Sequence, residues 1–332
     1  MEITLVVLII VVGLAFDFTN GFHDAANAIA TSVCTRALTP RVALAMAAVM
    51  NFVGAFLGTG VAVTVGSGII AAPTGARGLL LVLSALFGAI AWNVFTWWRG
   101  LPTSSTHALI GALVGVALVS FGTVHWSGVL DKVVWPMLLS PVIGLALGYT
   151  LHMAVLWTFR RSSPSRTVRR FRMAQTLSAA AMALGHGLQD AQKTMGVIVL
   201  ALVTAGWQHS FSVPVWVIAA VAAAMAAGTY SGGRRIITTV GRRIVHLDPP
   251  RGFAAESAAA TVLYVTAFLF KAPISTTQTI TSAIMGTGAT RRASAVRWGM
   301  ARSIVVAWFL TFPGAGLAAA AVYLLLHATT AI

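Results

Sequence analysis

The stretch NGFHDAANAIATSV, from Asn20 to Val33, places the carboxylate of Asp24 inside otherwise apolar sequence. A second stretch, GHGLQDAQKTMG at residues 185–196, places Asp190 in the same way. A pattern that recurs in this form predicts a duplicated membrane protein with one site built from both halves. With the glycines at 21 and 187 aligned, the matching pairs are Asp24 with Asp190, His23 with Gln189, and Asn27 with Lys193.

Each of these stretches has a companion further along the chain. LPTSSTHALIGALVG, residues 101–115, follows the first, and APISTTQTITSAIMG, residues 272–286, follows the second. The two motifs therefore recur in the same order, which strengthens the prediction of a repeat. With the prolines at 102 and 273 aligned, Ser104, Ser105 and Thr106 fall on Ser275, Thr276 and Thr277.

The composition excludes a soluble protein. The 332 residues are 58% hydrophobic and only 9% charged, whereas about a quarter of the residues of a soluble domain are charged. The chain is therefore a polytopic, all-α membrane protein. Its net charge of +15 comes mostly from arginines in short gaps between apolar runs, which indicates membrane topology and not a nucleic-acid partner. A single cysteine, Cys34, excludes an intrachain disulfide.

The basic segment FRRSSPSRTVRRFR, residues 159–172, separates the two predicted repeats, 1–158 and 173–332. The positive-inside rule makes this segment a cytoplasmic loop, while the N-terminus lacks basic residues and is expected outside. The first repeat then crosses the membrane an odd number of times, so the second runs in the inverted orientation. We expect an inverted-repeat fold of roughly 10–12 helical segments, including re-entrant ones, in the plasma membrane.

The local sequence predicts irregular backbone at three places. The sequence of residues 24–27 predicts a short or broken helix. Pro102 and Pro273 break helices, and hydroxyl side chains follow each break at once, which predicts two re-entrant hairpin tips. Such backbone survives at membrane depth only where it is buried in protein or lines a wet cavity.

The two carboxylates need a cation nearby, because an ionised carboxylate buried in a membrane costs several kcal/mol. Two interpretations are open. Asp190 and Lys193, one helical turn apart, form a structural ion pair. Alternatively, Asp24, Asn27 and Asp190 supply oxygens to a coupling cation. His23 adjoins Asp24 and is either a proton carrier or a hydrogen-bonded core residue.

The hydroxyl clusters also allow two interpretations. Helix N-termini present free N–H groups and a partial positive charge. Two such ends that face each other, with hydroxyl donors, would form a cradle for a tetrahedral oxyanion. Alternatively, the serines and threonines only cap the new helix ends.

These motifs together resemble the signatures of the inorganic phosphate transporter family. GFHDAANA and GHGLQDAQKTMG resemble its two core motifs, and PTSSTH and PISTTQ its hairpin tips. The resemblance implies a secondary symporter for orthophosphate, with no enzymatic activity and no cofactor besides a coupling H⁺ or Na⁺. The candidate phosphate ligands are Thr103, Ser104, Ser105, Thr106, Lys193, Ser275, Thr276 and Thr277, and the candidate coupling residues are His23, Asp24, Asn27, Gln189 and Asp190.

The chain departs from the common family motif at three positions. His23 and Gln189 stand where asparagine is usual, and Gln278 stands where histidine usually closes the second tip. The histidine form resembles bacterial low-affinity members that are proton-coupled and carry metal–phosphate complexes. We therefore favour a proton over sodium as the coupling ion.

Several alternatives are open at this point. The first is a permease for sulfate or another oxyanion on the same scaffold. The second is an intramembrane hydrolase, for which Ser105 with His107 is the candidate nucleophile and base. The third is a passive channel. The sequence does not determine the oligomeric state, and a homodimer is one candidate.

Overall fold

The protein is almost entirely helical. The computed structural model describes residues 2–120, 122–232 and 234–330. Its α-helices are α1 (Glu2–Cys34), α2 (Pro40–Ala55), α3 (Gly60–Gly68), α4 (Ala76–Trp98), α5 (Ser105–Val119), α6 (Trp126–Val129), α7 (Trp135–Thr158), α8 (Pro164–Thr204), α9 (Val215–Ser231), α10 (Arg234–Arg242), α11 (Pro249–Val265), α12 (Thr276–Ala289) and α13 (Trp298–Thr330). Two short strands, β1 (Ile70–Ala71) and β2 (Thr123–Val124), pair antiparallel.

Five of the described helices are long and apolar enough to cross a membrane, and α2 with α3 forms a further candidate span that is bent by 70°. A π-helical turn over 130–134 joins α6 to α7, so that Trp126–Thr158 is one continuous helix. Counted in this way, the described residues form twelve α-helices, within the range that the sequence predicts. The predicted class, an all-α polytopic membrane protein, is confirmed.

The prediction of a broken helix at residues 24–27 was wrong. Helix α1 runs without interruption through this segment. Its alanines favour helix, and the polar side chains of Asp24 and Asn27 bond to hydroxyls of other helices. Because these side chains find partners across the helix interface, the backbone does not need to unwind to satisfy them.

Both predicted hairpin tips interrupt the helical structure. Helix α4 ends at Trp98 and α5 begins at Ser105, while residues 271–275 are non-helical before α12 begins at Thr276. Gly100 adopts φ +67° and Lys271 φ +49°, so each turn contains a left-handed residue. Glycine is suited to that conformation because it has no Cβ.

The basic segment 159–172 is only partly a loop. The loop is confined to residues 159–163, and the following residues form the first turns of α8, which starts at Pro164. Proline is favoured at the first helical position, where its missing N–H costs no hydrogen bond. The arginines of the segment are exposed.

The long helices pack reciprocally around α1 and α8, which contact each other at the centre. Helix α2 packs on α8 and α9 on α1, while α7 packs on α12 and α13 on α5. The approaches are close: a Cβ on Gly54 would lie 2.2 Å from the carbonyl oxygen of Leu184, and one on Gly228 would lie 2.1 Å from that of Phe18. Small residues permit such contacts between membrane helices. An exchange of helices in this manner is typical of a repeated fold; the repeat boundaries at 158 and 173 stay a prediction.

Candidate functional site

The candidate site residues meet in the interior, where the middles of α1 and α8 approach the N-termini of α5 and α12. All are buried, and none of their side chains is more than 2% exposed. They comprise His23, Asp24 and Asn27 on α1, Gln189, Asp190 and Lys193 on α8, and the tip residues Thr103, Ser104, Ser105, Thr106, Ser275, Thr276 and Thr277.

Asp24 receives a hydroxyl from each hairpin tip. Ser105 Oγ donates to Asp24 Oδ2 at 3.0 Å, and Thr277 Oγ1 donates to Asp24 Oδ1 at 3.3 Å. His23 Nδ1 lies 2.7 Å from the same Oδ1, and its Nε2 lies 3.3 Å from Thr96 Oγ1. One carboxylate therefore joins both tips, which belong to different halves of the chain.

Asn27 faces the second tip. Its Nδ2 donates to Thr277 Oγ1 at 2.8 Å and lies 3.5 Å from Thr276 Oγ1. Its Oδ1 is buried and has no hydrogen-bond partner among the described residues. The amide thus positions the tip and keeps a free acceptor in the interior.

Asp190 has more counter-charge than its counterpart on α1. The ammonium of Lys193 donates to Asp190 Oδ1, and Thr276 Oγ1 donates to Oδ2 at 3.3 Å. His186 Nε2 lies 3.1 Å from Oδ2, and His186 Nδ1 lies 3.1 Å from Asn51 Oδ1. The ion pair between Asp190 and Lys193, one of the two interpretations of the sequence, is present.

The two carboxylates share one centre. Asp24, Asp190 and His186 each offer a ligand atom, and these atoms lie within 4.8 Å of one another. Two carboxylate oxygens with one imidazole nitrogen could hold a small cation between α1 and α8.

Four of the predicted tip residues make hydrogen bonds that hold the tips and do not contact the carboxylates. Ser104 and Ser275 are the N-caps of α5 and α12, and their hydroxyls accept from the backbone N–H of the residue three positions on. Thr106 Oγ1 donates to the carbonyl oxygen of Ile274 at 3.1 Å, and Thr103 Oγ1 donates to the hydroxyl oxygen of Thr96 at 2.9 Å. The capping interpretation therefore describes Ser104 and Ser275. Ser105, Thr276 and Thr277 instead face the carboxylates.

Gln189 lies against the chain that enters the second tip. Its Nε2 donates to Thr266 Oγ1 at 2.9 Å and to the carbonyl oxygen of Ala272 at 3.4 Å. His23 makes the corresponding contact, with Thr96, at the first tip. The two residues hold the tips against α1 and α8, and His23 also touches a carboxylate.

Three polar residues of this region were missed as site candidates. His186 lies within the quoted core motif, four residues before Asp190, a spacing that places both on one helix face. Asp17 and Asn20 are fully buried on α1, two turns and one turn before Asp24, respectively. The regular three- and four-residue spacing of polar residues along an otherwise apolar helix could have identified these residues from the sequence.

A membrane-embedded site that combines carboxylates on two central helices with hydroxyls on two hairpin tips is typical of a secondary transporter. Comparison with known proteins gives the family. The model of the phosphate transporter family matches residues 20–170 and 159–319, so the chain belongs to that family.

Individual relatives agree with this assignment. The chain is 77% identical to a probable low-affinity inorganic phosphate transporter of Streptomyces halstedii, over 57% of this chain and 89% of that one. It is 43% identical to a protein of the same description from Bacillus subtilis (strain 168), over 98% and 99% of the two chains. A solved structure described as the sodium-dependent phosphate transporter has a TM-score of 0.83 at 24% identity and covers 98% of this chain and 100% of its own.

The family resemblance inferred from the motifs is thereby confirmed, and the protein is a transporter and not an enzyme. The geometry agrees at the candidate hydrolase pair. Ser105 donates its hydroxyl to Asp24, and His107 Nδ1 lies 3.4 Å from Gln278 Nε2. His107 and Gln278 occupy equivalent positions in the two tip motifs and meet where the tips adjoin.

Proposed function

We propose that this protein carries inorganic phosphate across the plasma membrane by symport with a coupling cation, through alternating access. The observation that carries the proposal is the double contact of Asp24 with Ser105 of the first tip and Thr277 of the second. The carboxylate of Asp24 is thereby in contact with both tips at once. Family membership supports phosphate as the substrate.

In this proposal the hydroxyl protons of the tips couple cation binding to phosphate binding. Each hydroxyl has one proton to donate, and in this arrangement Ser105 and Thr277 donate theirs to the carboxylate of Asp24. When Asp24 takes up a cation, it becomes a weaker acceptor, and both hydroxyls can turn to phosphate. Binding of the cation and of phosphate therefore favour each other, as symport requires.

Phosphate would bind between the N-termini of α5 and α12. Free backbone N–H groups and the positive ends of the helix dipoles favour an anion there. Ser105, Thr276 and Thr277 add hydroxyl donors. Lys193 adds a positive charge beside Asp190, which accepts a hydrogen bond from Thr276. This set serves a tetrahedral oxyanion that accepts many hydrogen bonds.

We favour a proton as the coupling ion. His23 contacts Asp24 at 2.7 Å, and imidazole changes charge near neutral pH. Sodium is the alternative, because the structurally similar transporter is described as sodium-dependent. A divalent cation carried with phosphate is a further alternative, for which Asp24, His186 and Asp190 provide ligand atoms.

The exposed arginines of residues 159–172 support a cytoplasmic location for that end of the molecule. A homodimer stays a prediction, which the mass of the purified protein in detergent would test.

The test is uptake of radiolabelled phosphate into proteoliposomes that contain the purified protein. We expect accumulation under an inside-alkaline gradient in sodium-free buffer and its loss with a protonophore. Strict dependence on external sodium, with no protonophore effect at fixed membrane potential, would reassign the ion. Competition with unlabelled sulfate separates the oxyanions: sulfate that displaces phosphate at equal concentration would contradict phosphate as the specific substrate. Equilibration without accumulation under any gradient would indicate a channel.

A further inference from the structure

Helix α1 carries a buried polar stripe. Asp17, Asn20, Asp24, Asn27 and Thr31 follow one another at spacings of three and four residues, which places them on one face of the helix. None of these side chains is more than 1% exposed. From the coupling centre the stripe continues back along α1 to Asp17, which lies near the middle of the helix.

The carboxylate of Asp17 has no counter-charge in contact. Its Oδ1 accepts a hydrogen bond from Thr194 Oγ1 at 2.7 Å, and its Oδ2 has no partner among the described residues. No basic side chain of the described residues lies within 4.0 Å of the Asp17 carboxylate. An ionised carboxylate in that position is costly, because neither water nor an opposite charge stabilises it.

Asn20 is the second unsatisfied group of the stripe. Neither its Oδ1 nor its Nδ2 has a hydrogen-bond partner in the described structure, although the side chain is fully buried. It lies three residues after Asp17, on the same face of α1. A single proton on Asp17 Oδ2 would donate to Asn20 Oδ1 and satisfy both oxygen atoms at once.

The charges that act on Asp17 come from α8. Asp190 and Lys193 act on it with opposite signs, and they neutralise each other through their ion pair. The other packed helices bring no charge to this level among the described side chains. Arg77 of α4 lies near the start of α1, and Arg41 is at the start of α2. Glu256 of α11 contacts Thr31, on the other side of Asp24. Helices α9 and α12 contain no Asp, Glu, Lys, Arg or His. Helix α10 contacts α1 near Cys34, at the C-terminal end of the helix and beyond Asp24 as seen from Asp17.

We propose that Asp17, with Asn20 as acceptor, is a second proton-carrying site, so that each phosphate crosses with one proton more than Asp24 alone would carry. This inference rests on the proposed proton coupling. A proton fits the site better than a metal cation, because hard cations take about six oxygen ligands. Asp17, Asn20 and Thr194 leave only two acceptor oxygens without a partner.

The test compares Asp17→Asn with the wild type in proteoliposomes. Proton entry is followed with an internal pH dye and phosphate entry with radiolabel under an imposed pH gradient. Asparagine has the shape of a protonated aspartic acid and cannot release a proton. We expect one proton fewer per phosphate, with phosphate exchange at equal concentrations preserved. Asp131→Asn, which removes an exposed carboxylate, is the matched control and should leave the ratio unchanged.

An unchanged proton-to-phosphate ratio in Asp17→Asn, beside proton-driven uptake by the wild type, overturns this inference alone. Uptake by the wild type that depends on sodium overturns both the inference and the proposed proton coupling. Loss of exchange in a variant that still binds phosphate overturns the inference too, because Asp17 would then be required for the conformational change and not for proton transfer.

Asn20→Leu provides a second measurement that does not depend on the folding of Asp17→Asn. Leucine removes the acceptor of the proton but leaves Asp17 in place. The pH at which uptake is half-maximal should move toward acid, because the protonated form of Asp17 loses its hydrogen-bond acceptor. Titration of phosphate itself affects both proteins equally and cancels in this difference. An unchanged pH profile contradicts the shared proton.

Discussion

The two repeat-related carboxylates occupy equivalent positions and have different surroundings. Asp190 is paired with the ammonium of Lys193, three residues further on the same helix, and has His186 at 3.1 Å. Asp24 has Asn27 at the position of the lysine, and its contacts are hydroxyls and His23. One carboxylate therefore has a permanent counter-charge, whereas the other must obtain one.

This difference assigns separate roles to the two halves. The pair on α8 supplies a fixed, nearly neutral platform beside the second tip. In the proposed mechanism, Asp24 is the group whose charge depends on a transported cation, and its hydroxyl partners connect that change of charge to both tips. The duplicated sequence thus provides one site with two unlike carboxylates, and the comparison can be tested by breaking each of them.

The largest effect is expected from Asp24→Asn. The variant holds the coupling centre permanently neutral, so uptake against a phosphate gradient should fall to background while exchange of labelled phosphate continues. Accumulation is measured in proteoliposomes under an inside-alkaline gradient. Concentrative uptake at the wild-type level would exclude Asp24 as the coupling group.

Asp190→Asn should act on stability as well. The substitution leaves the ammonium of Lys193 buried without its partner, which costs about 3–5 kcal/mol. The double variant Asp190→Asn/Lys193→Met removes both charges and should recover most of this loss. Melting temperatures in detergent report the effect, with Asp24→Asn, which strands no charge, as the matched comparison. Equal destabilisation by Asp24→Asn and Asp190→Asn would refute the contrast.

The tip hydroxyls should have intermediate effects. Ser105→Ala and Thr276→Ala each remove one donor to phosphate, and a hydrogen bond to a charged group is worth about 1.5–3 kcal/mol. Phosphate affinity should therefore fall by about tenfold or more, as measured by the half-saturation concentration of uptake. Unchanged values in both variants would leave these hydroxyls without a role in binding.

The smallest effect on transport is expected from the capping serines. Ser104→Ala and Ser275→Ala remove the caps of α5 and α12, which costs about 1 kcal/mol of stability each. Their half-saturation concentrations should stay at the wild-type value, since neither hydroxyl faces a carboxylate. A tenfold rise in either would mean that the cap also binds phosphate.

His23→Asn sharpens the comparison at the coupling centre. Asparagine restores the common family motif at this position and offers a carbonyl oxygen in place of imidazole. The dependence of uptake on the pH gradient should weaken while the protein remains folded. An unaltered response to the gradient and to the protonophore would make His23 a packing residue.

Much of this architecture could be predicted from repeated motifs and apolar runs. The hairpin tips follow from proline breaks, and the pairing of Asp190 with Lys193 follows from helical spacing. The continuity of α1 through Asp24 could not be predicted, because it depends on hydroxyls that the second tip brings from the other half of the chain. The contribution of His186 was missed for a similar reason, since its orientation depends on Asn51 of α2.

The central claim is that a neutral Asp24 releases the tip hydroxyls for phosphate. Equilibrium binding of radiolabelled phosphate to purified Asp24→Asn tests it most directly, with the wild type measured across the same pH range. The account predicts that the variant binds phosphate at least as tightly as the wild type throughout that range. A folded Asp24→Asn protein that fails to bind phosphate would contradict the account.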